Sequence, residues 1–259
     1  MRRNVQVPAA DQTLRILRYL SARATPTAAS VLARDLQIPR SSVYHLLHAL
    51  AEHGFVFHVR ERQRWVLGTA AFELASGYSR QQPLARLGRP IIATLSDRLG
   101  ESTHLAVMSD RDVVYIAEER APRRPALVTD VGVRLPAHLT ATGRAMLAAL
   151  PRSQVRAVFP DAAAFADRTG HGPRTPAQLR ELLRLVRSDG HAQENGEVQN
   201  GLQSIGVAVR DGSGWPIAAI AVTWSAEGPA PSMAVDAVTE AAELLADRLG
   251  SPGQQHPEQ

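Results

Sequence analysis

The 259-residue chain contains no cysteine and no lysine, and aromatic side chains make up 5% of it. Without cysteine it has no disulfides, no thiolate metal ligands and no cysteine nucleophile. No run of about 18 apolar residues occurs, and the first twelve residues, MRRNVQVPAADQ, hold no apolar stretch that could act as a signal peptide. We therefore expect a cytoplasmic protein without a membrane span. The hydrophobic content of 44% predicts an ordinary packed core.

Positive charge is concentrated at the amino-terminal end. Residues 1–68 contain ten arginines and four acidic residues, which gives a net charge of +6. Residues 69–259 contain nineteen arginines and twenty-one acidic residues, which gives a net charge of −2. An excess of arginine in one segment favours a partner rich in phosphates. A solvated basic surface would have the same charge, so charge alone leaves both alternatives open.

Apolar spacing predicts three short helices before residue 55. The first has a stripe made of Ala10, Thr13, Leu14, Leu17 and Leu20. Thr25-Pro26-Thr27 offers an N-cap and a first-turn proline to the second, whose apolar positions are Ala29, Leu32, Ala33 and Leu36. The third begins near Arg40 and ends at Gly54. Two apolar runs around the charged turn RERQR then predict a β-hairpin. Residues 1–68 are therefore predicted to form a winged helix-turn-helix.

The third helix has an apolar face and a polar face. Leu46, Leu47 and Leu50 lie within about 60° of Val43 on the helix and form the core face with it. In a helix-turn-helix, the amino-terminal turns of the second helix contact base edges. We therefore predict DNA contacts by Ser41, Ser42, Tyr44, His45 and His48. We predict phosphate contacts by Arg40, Arg60, Arg62 and Arg64. The alternative is that these side chains face solvent and have no partner.

The rest of the chain mixes helices and strands. Residues 69–82 are predicted to form a linker helix, and Pro83 begins another helix. The runs THLAVMSD and VVYIAEE predict two strands around the turn Arg111-Asp112, and SIGVAVRD and IAAIAVTW predict two more. Helical spacing recurs at Leu179, Leu182, Leu183 and Val186, and in a closing helix from Val235 to Leu249. This mixture predicts an α/β domain with a mostly antiparallel sheet, followed by a disordered tail over residues 251–259.

Two distant segments make the chain resemble the IclR family of bacterial transcriptional regulators. Residues 32–55, with the hairpin ending in WVLG, resemble the family's amino-terminal module. LPAHLTATGRAMLA at 135–148 resembles the loop and helix that enter its effector pocket, and residues 187–224 resemble its final sheet segment. The resemblance spans about residues 11–250. It implies an α+β fold with a winged helix-turn-helix over 1–68, a linker helix over 69–82 and a GAF-like α/β effector-binding domain over 83–250.

The resemblance also implies a function. Members of the family bind double-stranded operator DNA as a homodimer or a dimer of dimers, and they respond to a small-molecule effector. We accordingly predict a ligand-responsive transcriptional regulator, with repression favoured over activation. This chain departs from the family at two points. His45 stands where arginine is common, and Glu194 is a single acid where paired acids are common.

The segment Thr140-Ala141-Thr142-Gly143 supports the same pocket on physical grounds. Helix amino termini present unpaired N–H groups and a partial positive charge, so a carboxylate or an oxygen-rich ligand can bind there without lysine or arginine. The alternative is plain helix capping by Thr140 or Thr142.

The resemblance carries nine pocket positions over to this chain: Leu127, Leu135, Ala141, Thr142, Glu194, Leu202, Ser204, Ala221 and Thr223. The i, i+2 spacing of Ala221 and Thr223 places both on one sheet face. The hydroxyls in the set favour a small organic effector that is aromatic or has a carboxylate, hydroxyl or carbonyl group. The three leucines would read equally well as core residues.

Two other function classes are weighed against a regulator. For an enzyme we find no HExxH metal motif, and GLQSIG has the wrong spacing for a nucleophile elbow. His104 and His138 could lie in a pocket, but neither has a recognisable base or nucleophile partner. We predict no catalytic residue, no metal and no cofactor. A DNA-binding protein without a ligand would leave the large α/β domain unexplained.

Overall fold

The structure is a computed structural model that describes residues 7–23, 25–81, 83–122, 124, 126–228 and 230–250. The chain divides into two compact units, Met1–Gln81 and Gln82–Gln259. The tail predicted to be disordered lies outside the described residues. No helix within the described ranges is both long enough and apolar enough to cross a membrane.

The first unit is a winged helix-turn-helix, as predicted. Its elements are α1 (Pro8–Ser21), α2 (Ala29–Leu36), α3 (Arg40–Glu52), β1 (Val56–Val59), β2 (Arg64–Leu67) and α4 (Thr69–Gln81). Gln37 ends α2 in the left-handed region, with φ 54°, which turns the chain into α3. The antiparallel strands β1 and β2 are joined by a 3₁₀ turn over Arg60–Arg62.

Two local predictions for this unit are wrong. Helix α1 buries Ile16 and Leu20, whereas Leu14 is 61% exposed, so the buried stripe lies on a neighbouring face of the helix. Thr27 does not start α2, whose N-cap is Ala28 without a side-chain bond. Instead its backbone exchanges two hydrogen bonds with Trp65, of 2.9 and 2.8 Å. This bridge holds the chain extended at Thr27 and delays the helix.

The second unit is built around one antiparallel sheet. Its helices are α5 (Pro83–Leu99), α6 (Ala141–Ala149), α7 (Arg152–Val158), α8 (Pro176–Asp189) and α9 (Ala234–Gly250). Its strands are β3 (Ser102–Ser109), β4 (Asp112–Glu119), β5 (Arg134–Pro136), β6 (Ala192–Asn195), β7 (Leu202–Arg210) and β8 (Pro216–Ser225). The strand order is β5-β4-β3-β8-β7-β6, and all five neighbouring pairs are antiparallel. The turn before β4 falls at Asp110-Arg111, one residue earlier than predicted, because Asp110 adopts a φ of 58°.

Each face of the sheet buries its own core. On one face Val222 packs with Ile92 of α5 and Val238 of α9. On the other face Ala219 packs with Met146 of α6 and Leu183 of α8. The alternation of side chains along β8 separates the two sets. It also turns Ala221 and Thr223 toward the face that packs on α6.

The close approach of α6 to β7 depends on one glycine. A Cβ on Gly206 would lie 2.7 Å from the carbonyl carbon of Ala141 and 3.0 Å from the amide nitrogen of Thr142. Because glycine has no Cβ, the first turn of α6 can lie directly on the strand. This contact places the amino terminus of α6 over the polar end of the sheet.

Candidate functional site

One face of α3 packs into the first unit and the opposite face is open. Val43, Leu47 and Leu50 are buried, and Leu46 is half-buried against the same core. Ser41, His45 and His48 are exposed, and Tyr44 is 40% exposed. The second helix of the helix-turn-helix therefore offers polar and aromatic groups along a solvent-facing surface.

The predicted DNA-contacting residues occupy two exposed elements of this unit. Arg40 begins α3 and is exposed, whereas Ser42 is half-buried. Arg60, Arg62 and Arg64 are all exposed on the hairpin, and the Arg64 guanidinium donates a 3.2 Å hydrogen bond to the carbonyl of Pro26. Their contacts with DNA remain a prediction.

The ring of Trp65 connects α3 with the hairpin. His48 meets it edge to face, with ring centroids 5.9 Å apart. His58 of β1 stacks on it, with ring centroids 4.5 Å apart. Because Trp65 is only 3% exposed, it fixes the hairpin against the helix through these two contacts. His48 therefore has a packing role besides its predicted one.

A cavity of about 30 Å³ lies in the second unit, between the sheet and the amino terminus of α6. Its lining includes seven of the nine predicted pocket residues, namely Leu127, Thr142, Glu194, Leu202, Ser204, Ala221 and Thr223. They come from one loop, one helix and three strands that are far apart in the sequence.

The other two predicted pocket residues lie elsewhere. Leu135 pairs with Val113 at the edge of the sheet, is 2% exposed and belongs to the apolar core. The prediction for Leu135 is thus corrected in favour of its core alternative. Ala141 does not line the cavity, since its backbone is the surface on which Gly206 packs. Ala141 therefore contributes to the packing of α6 on β7 and not to the lining of the cavity.

The two threonines at the start of α6 have different roles. Thr140 is the N-cap, and its hydroxyl accepts a 3.0 Å hydrogen bond from the amide of Gly143. Thr142 lines the cavity, and its buried hydroxyl has no hydrogen-bond partner of normal geometry among the described residues. Burial raises the pKa of the nearby Tyr115 well above its ordinary value, and the Thr142 hydroxyl opposes that shift. The capping alternative therefore holds for Thr140 and leaves Thr142 available to a ligand.

Five polar side chains form a line across the sheet beside the cavity. Ser204 Oγ and Glu194 Oε2 are hydrogen-bonded at 3.0 Å, and the Ser204 and Thr223 hydroxyls are 2.8 Å apart. Thr223 Oγ1 lies 3.2 Å from His104 Nε2. The other ring nitrogen, His104 Nδ1, faces Glu118 Oε1 at 3.8 Å and makes no hydrogen bond. We call these five residues the polar row.

Burial sets the charges in the polar row. It lowers the pKa of His104 to about 3, with a smaller contribution from Arg120, so the imidazole is neutral. Burial also raises the pKa of Glu194 above its ordinary value, although the backbone hydrogen bond from Val198 opposes the shift. The pKa of Glu118 is raised in the same way, and Arg120 opposes that shift.

The nine predicted pocket positions omit several cavity residues, among them His104, Tyr115, Thr129, Thr140 and Gln199. For His104, the available signal is an imidazole in a strand beside an apolar run. His138, considered with it, does not line the cavity. Its Nε2 lies 3.0 Å from the carbonyl oxygen of Ala166 and its ring packs on two phenylalanines.

Gln199 fastens the outer wall of the cavity. Its side-chain oxygen accepts a 3.3 Å hydrogen bond from the amide of Val128, and its side-chain nitrogen donates one of 3.1 Å to the carbonyl of Ala126. The Gln199 amide thus bonds one backbone N–H and one backbone carbonyl, as a neighbouring strand would. These two bonds hold the loop that contains Leu127 and Thr129 against the sheet. Movement of this loop away from Gln199 would break both bonds.

A buried arginine supports the site from behind. Arg144 of α6 donates to the carbonyls of His138 and Gln193, over 2.9 and 2.6 Å, and pairs with Glu197 over 2.7 Å. These bonds tie the start of α6 to the loop after β6. Among the described residues, no group of three His, Asp or Glu side chains is arranged to hold a metal ion.

Comparison with known proteins gives a consistent result for both units. Residues 9–59 match the profile of the IclR helix-turn-helix domain. Residues 76–244 match that of the bacterial transcriptional regulator IclR C-terminal domain. The Escherichia coli transcriptional repressor IclR is 27% identical over 237 residues, which cover 91% of this chain and 85% of that protein. The Pca regulon regulatory protein of Pseudomonas putida is 31% identical, over 74% of this chain and 65% of that protein.

A solved structure has the same fold. It is an IclR homolog from Microbacterium hydrocarbonoxydans complexed with 4-hydroxybenzoate, and it superposes with a TM-score of 0.79. The alignment covers 94% of this chain and 100% of that one, at 21% sequence identity.

Proposed function

This chain belongs to the IclR family of bacterial transcriptional regulators, and on that premise we propose how it works. It represses transcription by binding operator DNA through residues 1–68, and it is controlled by a small organic effector bound within residues 83–250. The linker helix, residues 69–82, joins the two parts. The observation that carries the effector assignment is the convergence of seven carried-over pocket positions on one cavity.

The open face of α3 supports the DNA half of the proposal. Ser41 and His45 are exposed near the start of this helix, where base contacts are made in a helix-turn-helix. Arg60 and Arg62 on the hairpin supply phosphate contacts, which fix register and give salt-dependent affinity. Since operator DNA is in the cytoplasm, we place the protein there.

The hydroxyls around the cavity support an effector with a carboxylate or carbonyl group. The Thr142 hydroxyl has no hydrogen-bond partner of normal geometry among the described residues, and it lies in the first turn of α6, where backbone N–H groups favour an anion. The cavity of about 30 Å³ is far smaller than the roughly 300–1,000 Å³ of most ligand sites. An effector must therefore displace part of the lining, and we expect the loop that Gln199 holds by two hydrogen bonds to be the part that moves. An effector shifts DNA binding only as far as its affinity differs between the two states.

Exposed apolar side chains support a homodimer. Phe72 of α4 is 75% exposed and Leu14 of α1 is 61% exposed, both in the DNA-binding unit. Burying a side chain of this size contributes roughly 1.5–3 kcal/mol. A dimer would also match the two half-sites of a palindromic operator.

Footprinting tests the proposed binding to operator DNA, with DNA from upstream of the protein's own gene and of the neighbouring genes. Arg62→Ala should weaken binding to all DNA and lower the slope of log affinity against log salt by about 1. His45→Ala should keep nonspecific binding and lose roughly 1–3 kcal/mol of discrimination at one base pair. His53→Ala, at the exposed end of α3, is the matched control. If Arg62→Ala and His45→Ala both footprint like wild type, the DNA surface is assigned wrongly.

A thermal-shift screen of small organic and aromatic acids tests the effector half. The first probe is 4-hydroxybenzoate, because the homologous complex contains it. An acid that raises the midpoint of unfolding should also change operator affinity. Stabilisation without any change in operator affinity would identify a ligand but contradict its role as an effector.

A further inference from the structure

The polar row crosses five neighbouring strands in a single line. Glu194 of β6 faces Ser204 of β7, and Ser204 faces Thr223 of β8. His104 of β3 lies diagonally beside Thr223, and it faces Glu118 of β4. All five side chains are at most about 9% exposed. A buried polar group costs stability unless it is hydrogen-bonded, so the protons available to these groups decide which bonds the row can make.

With both carboxyl groups ionised, the row has one proton fewer than it needs for a donor between every pair of neighbours. Ser204 must then donate to Glu194, because a carboxylate only accepts. Thr223 must donate to Ser204, and the neutral His104 must donate to Thr223 through Nε2. The lone pair of His104 Nδ1 is then directed at a carboxylate that has no proton to donate. This is the nitrogen that lacks a partner in the structure.

One added proton gives every link a donor and an acceptor, and it can do so in two ways, although the 3.8 Å gap between His104 Nδ1 and Glu118 must shorten for that link to become a hydrogen bond. If Glu194 holds it, each donor points the other way along the row, and His104 has its proton on Nδ1, directed at Glu118. If Glu118 holds it, that carboxyl donates to Nδ1, and His104 donates through Nε2. The two states contain the same number of protons. They interconvert when Glu194 gives its proton to Ser204, Ser204 gives one to Thr223, Thr223 gives one to His104 Nε2, and His104 gives its Nδ1 proton to Glu118 and so changes tautomer.

We propose that the polar row holds one shared proton, that His104 passes it between the two carboxyl groups, and that this makes Glu194 neutral beside an anionic effector. His104 and Glu118 are thereby specificity-determining residues of the cavity, although neither is among the nine carried-over positions. The proposal rests on the effector site proposed above, and it names the effector as an anion. A neutral Glu194 removes the repulsion that a carboxylate would otherwise meet in this cavity.

The charges around each end favour the proton on Glu194. Glu197 opposes a second negative charge at that end more than Arg144, its ion-pair partner, favours one, and burial outweighs the 3.0 Å hydrogen bond that the Val198 amide donates to Glu194. At the other end, Arg120 lies 3.2 Å from Glu118 Oε1 and stabilises its ionised form, while also pairing with Asp130. Thr129 donates to the same Glu118 oxygen over 3.2 Å.

Tyr115 is the remaining titratable group on the cavity side of the row. Burial keeps its phenol protonated, since its pKa lies well above the ordinary value. It therefore adds no charge near Glu194. The resting protein should have Glu194 neutral, Glu118 ionised and His104 protonated on Nδ1.

The tautomer of His104 tests the shared proton of the polar row without any effector. Two-bond ¹H–¹⁵N correlation spectra of the imidazole, recorded near neutral pH on the full chain, distinguish Nδ1–H from Nε2–H. Wild type and Glu194→Gln should both show Nδ1–H, because the amide introduced by this substitution donates to Ser204 as the protonated acid does. Glu118→Gln should show Nε2–H, because an amide then donates to Nδ1. Glu119→Gln, which removes an exposed carboxylate one residue along the same strand, is the matched control and should show Nδ1–H.

Several outcomes would overturn the proposal. One tautomer shared by Glu194→Gln and Glu118→Gln would mean that the row does not reverse, and a doubly protonated imidazole near neutral pH would mean that it holds a different charge. If Glu118→Gln fails to fold, an Nε2–H tautomer in wild type or in Glu194→Gln is sufficient to reject the idea.

The effector's charge is tested with 4-hydroxybenzoate and its neutral analogue 4-hydroxybenzamide. Glu118→Gln should bind the anion at least roughly tenfold more weakly than wild type and bind the amide equally well, because Glu194 is then ionised. Equal losses for both probes would overturn the charge-setting role. If no form of the protein binds either probe, the aromatic-acid effector of the proposed function is wrong. The tautomers of His104 alone then test whether the polar row holds a shared proton.

Discussion

The hydroxyl oxygens of Ser204 and Thr223 lie 2.8 Å apart, at directly facing positions on β7 and β8. Each hydroxyl has a second partner further along the polar row, Glu194 on one side and His104 on the other. The cavity is therefore lined by hydroxyls whose directions of donation depend on one another. This coupling explains why changes to single hydroxyls should alter effector binding without unfolding the domain.

Removing two cavity hydroxyls should separate effector binding from DNA binding. The double variant Thr142→Val with Ser204→Ala should bind the operator like wild type but lose its response to the effector, because the ligand oxygens lose two partners. Operator affinity with and without an acid found in the thermal-shift screen is the measurement. Ser213→Ala, in the exposed turn between β7 and β8, is the control. An unchanged response would remove Thr142 and Ser204 from the site.

A methyl group at Gly206 should push β7 away from α6. Because the added Cβ would meet the backbone of Ala141 at 2.7 Å, we expect Gly206→Ala to cost about 1–3 kcal/mol of stability. Gly212→Ala is the matched control, since a Cβ there meets nothing within 4 Å, and it should change stability by less than about 0.5 kcal/mol. Urea unfolding of both variants measures the difference. Equal midpoints would show that α6 and β7 do not pack as described.

The buried ion pair behind the cavity should matter far more than an exposed one. Arg144 pairs with Glu197 at 3% and 13% side-chain exposure, so Arg144→Ala leaves a largely buried carboxylate and two carbonyls without their donor. We expect a loss of about 3–5 kcal/mol. Arg184→Ala breaks an exposed pair with Glu181 and should cost far less, because water screens exposed ion pairs. Denaturant midpoints compare the two, and similar losses would contradict the burial of Arg144.

The stability contributed by a neutral His104 should decline in acid. Its folded pKa is about 3 and its ordinary value is 6.5. As the pH falls below 6.5, His104 becomes protonated in the unfolded chain but stays neutral in the folded chain. Folding stability is therefore lost down to about pH 3. The slope is about 1.4 kcal/mol per pH unit for one proton.

The difference between wild type and His104→Gln isolates this effect. The comparison is needed because Glu194 and Glu118 have raised pKa values and act in the opposite sense: their burial costs stability as the pH rises from 4.5. The advantage of wild type over His104→Gln should shrink as urea midpoints are taken from pH 6.5 downward. His171→Gln, at an exposed position, is the control. A pH-independent difference would mean that His104 is accessible to protons in the folded state.

An exposed aromatic side chain on α4 should support self-association. Phe72→Asp places a charge where we propose that two copies meet, so we expect a smaller particle in sedimentation velocity and weaker binding to a full palindrome. Glu73→Gln, at the next exposed position of the same helix, should leave the oligomer unchanged. A Phe72→Asp protein that sediments like wild type would place the interface elsewhere.

Local patterns were sufficient for most of the secondary structure. The spacing of Leu179, Leu183 and Val186, followed by Gly190, predicts α8 correctly, because helical periodicity and a left-handed end depend on neighbouring residues alone. The same reasoning failed at Leu14 and Thr27. In both cases a partner distant in sequence decides the outcome: the packing of α1 for Leu14, and the pairing with Trp65 for Thr27.

Composition, periodicity and motif order are properties of the chain, so they were enough to predict a basic helix-turn-helix segment, an α/β domain and the motifs of one regulator family. The burial of Leu135 in the core and the place of His104 in the cavity depend on tertiary packing. Strand register brings residues 104, 118, 194, 204 and 223 into one line. A one-residue shift in that register would turn each side chain to the other face, so no local pattern could have revealed the polar row.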